Sequence, residues 1–374
     1  MKPSPLSVYV HVPFCVRKCD YCDFASYAGR EDRIAPYFCA LSEEMRGWAD
    51  SLRAHRVRSV FFGGGTPSMV DAGYIARALN ELRAYAEFND DAEITLEANP
   101  GTIDARKLDT YREAGVNRLS IGVQTFDAGL LASIGRIHDP AQAADAVRLA
   151  RACGFDNISL DLMYALPGQT MQIWRDTLDA ACALPIRHIS AYSLIVEDGT
   201  RMADRVRRGA AIVPDDDTVN EMQRMAVRTL SARGFDRYEI SNFAQNGYES
   251  RHNLNYWLGG EYLGLGSAAH SLLNNERFAN PPQIDRYIAG ERCLNREARS
   301  ENDCMEEMIM LQTRMVRGLD LAEWQSRFGT DFAASHERAV RRLENYGMIE
   351  IENGFLRLTP IGLEMQDSVV LELM

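Results

Sequence analysis

No apolar stretch in these 374 residues approaches the roughly 18 that a membrane-crossing helix needs. No basic excess is present either. Lys and Arg total 41 against 53 Asp and Glu, a net charge of −12, which disfavours a nucleic-acid or anionic-membrane surface. Low-complexity segments and short repeats are missing. Hydrophobic residues at 46% and charged residues at 25% are those of an ordinary globular chain, which excludes a disordered or collagen-like one. The opening MKPSPLSVYVHVPFC has one Lys and runs straight into a strand-like pattern, so no signal peptide is expected. The expectation is a cytoplasmic protein of roughly two to three domains.

What is present is a regular alternation. Strand-like segments at 7–12, 57–62, 92–98, 117–123, 156–163 and 187–195 are separated by helix-like stretches at 32–52, 71–87, 104–114, 127–134 with 140–152, and 170–183. Six strands with helical crossovers imply an α/β fold built on a parallel sheet. The strands read as apolar on both sides. The alternation is compatible with a closed or partly closed barrel and with an open doubly wound sheet. A further helix is expected at 215–233, its N-terminus favoured by Asp215, Asp216 and Asp217. A Gly- and aromatic-rich stretch covers 247–266. The tail from about 300 predicts helices, a stop at Gly347 and a hairpin around Asn353-Gly354, the pattern of a winged helix. The division expected is a β/α core over 1–235, an extension over 236–300 and a small α+β domain over 301–374.

Eight cysteines are present, and three of them, Cys15, Cys19 and Cys22, form a C-x3-C-x2-C motif within eight residues. The other five are scattered and read as packed thiols. Thiolates suit zinc or iron–sulfur clusters. Structural zinc normally takes four ligands, often as two separated pairs, and no partner pair exists here; His11 is the nearest candidate for a fourth ligand. Three thiolates on a four-iron cluster leave one iron open for chemistry, whereas a plain relay uses four.

In its context, YVHVPFCVRKCDYC, the triplet resembles the signature of the radical S-adenosylmethionine (radical SAM) superfamily. The resemblance implies a 4Fe-4S cluster whose open iron holds the amino and carboxylate groups of S-adenosyl-L-methionine (SAM), and an electron that cleaves the sulfonium bond.

The remaining motifs fall into place by position. GGGTPS (63–68) follows the second strand, Glu97 ends the third, and Gln124 ends the fourth. Asp161 lies near the end of the fifth strand and Tyr192 near the end of the sixth. Carboxyl ends of parallel strands converge on one site, in a barrel or in an open sheet.

The span 7–300 is similar to the oxygen-independent coproporphyrinogen III oxidase family, radical SAM proteins with an incomplete (β/α)6 barrel. By that resemblance Tyr9 and Tyr21 flank the cluster loop. Gly64, Gly65 and Thr66 meet the amino end of SAM, and Glu97, Gln124, Arg136 and Asp161 hold SAM or line the neighbouring site. Gly264 and Gly266 belong to a turn that approaches the same cavity.

Two departures from the oxidase pattern point one way. The oxidases carry a further Cys two residues after the third ligand; here that position is Phe24. The segment HNLNYW, His252 to Trp257, resembles the hallmark of a heme-chaperone branch that binds heme and passes it to acceptor proteins. The resemblance makes His252 the candidate heme ligand, with Tyr256 and Trp257 to stack on the porphyrin and Arg251 to pair with a propionate. The alternatives are decarboxylation of coproporphyrinogen III and methyl transfer to a tetrapyrrole.

The last segment, 301–374, has fourteen acidic and seven basic residues, unlike a DNA reader. A lid over the barrel mouth or a docking surface for a heme acceptor is expected instead. The sequence leaves monomer and homodimer both open.

Overall fold

The computed structural model describes residues 4–374. Six strands, β1 (Ser4–Val12), β2 (His55–Gly64), β3 (Glu87–Ala98), β4 (Arg118–Gln124), β5 (Asn157–Tyr164) and β6 (His188–Ser193), pair in parallel. The crossover helices are α1 (Ile34–Gly47), α2 (Ala72–Tyr85), α3 (Ala105–Ala114), α4 (Pro140–Ala152) and α5 (Met171–Cys182), with α6 (Asp216–Ser231) after β6. The single helix expected over 32–52 breaks at Trp48, and a short second piece covers Ala49–Arg53. Helices α2, α3, α4 and α6 start on Asp71, Asp104, Asp139 and Asp215, and α5 on Thr170. Each side chain accepts a backbone N–H that the first turn would otherwise leave unpaired.

The spatial order of the strands is β1-β2-β3-β4-β5-β6, the same as their order in the chain. Right-handed crossovers that always step in one direction put every helix on the same face. The sheet is therefore singly wound, and the doubly wound alternative drops out. A strand at Tyr262–Leu265 continues the parallel run beside β1, and antiparallel strands at His270–Leu273, Glu276–Ala279 and Leu294–Ala298 extend that edge. Asn242–Ala244 and Asp236–Arg237 add to the β6 edge.

The strands are not apolar on both sides as their sequences suggest. The helix-facing row holds Leu6, Val8, Val10, Leu119, Ile121, Ile158, Leu160 and Ile189, all buried in the main core. The alternate row holds Ser7, Ser59, Thr95, Arg118, Ser120, Ser159, His188 and Ser190, equally buried but polar. A strand alternates faces at every residue, so the apolar row builds the sheet–helix layer and the polar row lines the inside.

The tail forms its own apolar cluster around Trp324, Phe332, Leu343 and Leu356. Helices at Glu301–Gln312, Leu321–Phe328 and Glu337–Asn345 pack on a three-stranded sheet of Leu319–Asp320, Phe355–Leu358 and Ile349–Glu352. Asn353 and Gly354 both take positive φ, as the tight hairpin requires. Among the described residues no helix is long and apolar enough to cross a membrane.

Candidate functional site

A cavity of about 430 Å³ opens at the carboxyl ends of the parallel strands. That is within the usual range for one small-molecule ligand. Cys15, Cys19, Cys22, Tyr21, Phe24, Gly64, Gly65, Thr66, Glu97, Gln124, Arg136, Asp161 and Tyr192 all line it, so thirteen of the expected site residues share one space. Tyr9, His252, Arg251, Tyr256, Trp257, Gly264 and Gly266 do not line it.

The cysteine loop leaves β1 at Pro13 and is closed by a two-residue parallel pairing of Phe14–Cys15 with Tyr27–Ala28. The glycine loop docks directly on it: Gly65 N–H donates to Val12 O at 2.9 Å and Thr66 N–H to Phe14 O at 2.8 Å. A Cβ on Gly65 would stand 2.8 Å from three backbone atoms of Val12, Pro13 and Phe14, and one on Gly64 would strike the His11 ring at 2.3 Å. Only glycine permits this approach.

Side chains then tie the loops together. The Cys15 Sγ lies 3.5 Å from Thr66 Oγ1, which accepts from Asn99 Nδ2 at 2.9 Å. Arg136 donates to Asn99 Oδ1 at 2.5 Å, to Gly122 O, and to Cys19 Sγ at 3.6 Å. A buried guanidinium thus sits beside the cysteines, where a thiolate set accumulates negative charge. Asp20, between the ligands, faces Arg205 at 3.3 Å and Arg201 at 3.8 Å.

All eight cysteines are free thiols. Burial pushes the Cys15 and Cys22 thiols up, so losing the proton requires a partner that rewards the thiolate. Among the described residues no three His, Cys, Asp or Glu side chains converge as a single metal ion needs. A four-iron cluster takes each thiolate on a separate iron, and three free cysteines on one loop beside a buried arginine fit such a cluster. His11 is turned elsewhere, with its ring nitrogens on Tyr9 Oη at 3.0 Å and Ala25 O at 2.9 Å.

Two carboxyls stand inside. Glu97 accepts from Gly64 N–H at 3.1 Å. Burial, and then the neighbouring Asp161, push its carboxyl up to about 8. Asp161 is raised by burial as well, although Ser120 Oγ lies 3.1 Å from both of its oxygens. Two enclosed carboxyls disfavour double ionisation while the cavity is empty, and a cationic ligand between them relieves that repulsion. Gln124 holds φ of 70°, at a register shift between β4 and β5. Non-glycine residues held there cluster at ligand sites.

Tyr9 lies below this level, with its ring stacked on Phe61 at 6.2 Å. His252 lies lower still, on α7 (Arg251–Trp257), which packs against the polar face of the sheet at Ser59 and contributes Asn253 to the cavity lining. The Glu93 carboxylate accepts from the N–H groups of Arg251 and His252 at 3.1 and 3.0 Å and caps α7. The His252 Nδ1 is 2.9 Å from Ser59 Oγ, which itself donates to Ser7. Nδ1–H therefore donates to Ser59, and Nε2 accepts the Tyr256 hydroxyl at 2.9 Å. Both ring nitrogens are engaged, and burial pushes the imidazole down to about 3.

The tail is no lid, because none of the cavity lining comes from 301–374. It is stitched to the opposite end through Arg314 over the Trp257 ring, a bridge between Glu239 and Met315, and Arg224 on Glu364 at 2.6 Å.

Asn99, Arg118, Ser120 and Ser190 line the cavity and were not singled out from the sequence. Their signal was the polar alternation within strands, Arg118, Ser120, Gly122 and Gln124 in NRLSIGVQ.

Comparison with known proteins agrees with this geometry. Residues 9–181 match the radical SAM superfamily and residues 300–364 the HemN C-terminal domain. Heme chaperone HemW of Lactococcus lactis is 34% identical over 99% of this chain and 97% of its own. The chain belongs to the HemW family of radical SAM proteins. Heme chaperone HemW of Mycobacterium tuberculosis is 37% identical over 99% of this chain and 95% of its own. The solved structure of coproporphyrinogen III oxidase (HemN) from Escherichia coli, a radical SAM enzyme, superposes with a TM-score of 0.88 at 24% identity, over 99% of this chain and 90% of that one. That likeness establishes the fold. Membership of the superfamily implies, in general, a 4Fe-4S cluster and SAM.

Proposed function

We propose that this chain is a heme chaperone that binds heme and hands it to acceptor proteins, and that it carries a 4Fe-4S cluster on Cys15, Cys19 and Cys22 with SAM beside it. The observation that carries the reading is full-length similarity to proteins named heme chaperones, in a chain with Phe24 at the cavity mouth. When bound, a cluster of this kind supplies one-electron chemistry at SAM. The chain's own part is positional. Thr66 and Arg136 steady the cysteine loop, Glu97 and Asp161 receive the cationic end of SAM, and Gly64 and Gly65, lacking side chains, let the backbone pass close beside it. Tyr21 closes one wall.

In this reading the core expected over 1–235 acts as a partial (β/α)6 barrel, 236–300 as an extension of it, and residues 301–374 as a winged-helix-like unit for docking an acceptor. His252 can ligate heme iron through Nε2 only after giving up Tyr256, because Nε2 has no free lone pair while the Tyr256 hydroxyl donates to it; the Nδ1–H bond to Ser59 can remain.

The test is an anaerobic heme titration of the cluster-reconstituted chain, followed by mixing with an apo-acceptor. A saturable Soret band at one heme per chain that moves to the acceptor supports the reading. Consumption of SAM with conversion of coproporphyrinogen III, and no heme band, replaces it with the oxidase reading.

A further inference from the structure

The cavity mouth carries an unusual concentration of exposed apolar side chains. Val16, Phe24, Ile137 and Ile195 are 53%, 61%, 57% and 68% exposed and all line the same opening. They come from three separate places: the cysteine loop, the segment after β4, and the segment after β6. Isolated exposed apolar residues need no explanation, but a contiguous group rimmed by charge marks a binding surface.

The charge on this rim is distributed unevenly. Arg17 and Lys18 stand beside Val16 on the cysteine loop. Arg17 has no side-chain partner among the described residues, and Lys18 Nζ donates to Phe24 O at 2.8 Å. Asp23 and Glu197 line other parts of the rim. A ligand that matches this surface is flat, apolar, broad enough to span three loops, and carries anionic groups along one edge.

Size bears on the choice as well. A cavity of about 430 Å³ is the size of a site for one small-molecule ligand, and the exposed apolar side chains stand at its mouth.

We propose that heme lies flat across the mouth on Val16, Phe24, Ile137 and Ile195, with its propionates on Arg17 and Lys18. This rests on the heme-chaperone reading and names the surface that does the binding. Phe24 then supplies an aromatic face to the macrocycle at the position two residues past the third cysteine. The macrocycle covers the cavity and the cluster loop beneath it.

The experiment is a titration of the cluster-reconstituted full chain with hemin and with hemin dimethyl ester, whose propionates are masked. Phe24→Ala and Ile195→Ala are each expected to weaken hemin binding about tenfold, since each removes apolar contact over one part of the ring. Arg17→Glu is expected to weaken hemin but not the dimethyl ester. SAM affinity by calorimetry remains at the wild-type value in Ile195→Ala and Arg17→Glu, which reports an intact cavity. Hemin binding of wild-type strength in all three variants overturns the proposal and leaves the chaperone reading standing, with heme bound elsewhere. Failure of the wild-type chain to bind hemin overturns both.

Discussion

Replacing His252 with alanine separates a heme ligand from a structural pin. The ring is 1% exposed and packs 5.1 Å from the Phe61 ring and 5.0 Å, edge-on, from Tyr256. Truncation removes two hydrogen bonds, leaves Tyr256 and Ser59 short of a partner, and opens a void among Tyr9, Phe61 and Tyr256. Losses of this kind together cost about 3–5 kcal/mol. The acid limb provides an independent readout. In the folded chain the imidazole stays neutral down to about pH 3; once unfolded it takes a proton near its ordinary value of about 6.5. Between those values the unfolded chain holds more protons. The stabilisation is therefore fully present above about pH 6.5 and is lost as the pH falls towards 3. From pH 7.5 to pH 5 this one residue accounts for about 2 kcal/mol of lost stability. Urea unfolding of wild type and His252→Ala at both pH values measures both effects. The variant is expected to be less stable at pH 7.5 and to lose about 2 kcal/mol less on acidification, with its Soret band on heme addition retained. A variant within 1 kcal/mol of wild type at pH 7.5, or one with the same acid loss, refutes the pinned-imidazole account.

Further predictions concern the cavity itself. Cys15→Ala, Cys19→Ala and Cys22→Ala should each abolish the iron-dependent absorption of the reconstituted chain, and iron analysis at the wild-type level in any one of them counts against that ligand. Gly65→Ala forces a Cβ to 2.8 Å from three backbone atoms and is expected to cost about 1–3 kcal/mol, read by thermal unfolding. The Glu97 carboxyl is held up at about 8, so it must shed a proton to receive a cation. SAM affinity should therefore rise with pH up to about 8 and then level off, and calorimetry should find this slope missing in Glu97→Gln.

Much of this architecture was legible in the sequence because its local signals agree with one another. Every crossover helix starts where an Asp or Thr can cap it or, for α1, follows the short turn Glu31–Arg33 into an apolar stripe. The convergence of the cysteine loop, Glu97, Gln124 and Asp161 follows from strand direction alone. Strand polarity was harder to read. β4 and β5 interleave polar with apolar residues, and Arg118 and Ser120, beside Leu119 and Ile121, are buried on the inner face rather than solvated. Composition averages over two faces that the fold separates. The position of HNLNYW was not legible. Nothing local says that a helix near residue 250 caps on Glu93 in β3, since that contact spans about 160 residues of chain. The attachment of the tail was not legible for the same reason: it depends on contacts of Trp257 and Glu239 with Arg314 and Met315, distant in the chain.

Helix α7 borders the cavity through Asn253, and in the proposed arrangement this has a consequence for traffic. Molecules that occupy the cavity at different depths must queue. Whatever sits against Glu97 and Asp161 has to enter before anything broad settles over Phe24 and Ile195, and it leaves only after that cover has gone. Exchange of the inner ligand is then timed by the residence of the outer one, so that slow release at the mouth protects the contents of the chamber without any moving part.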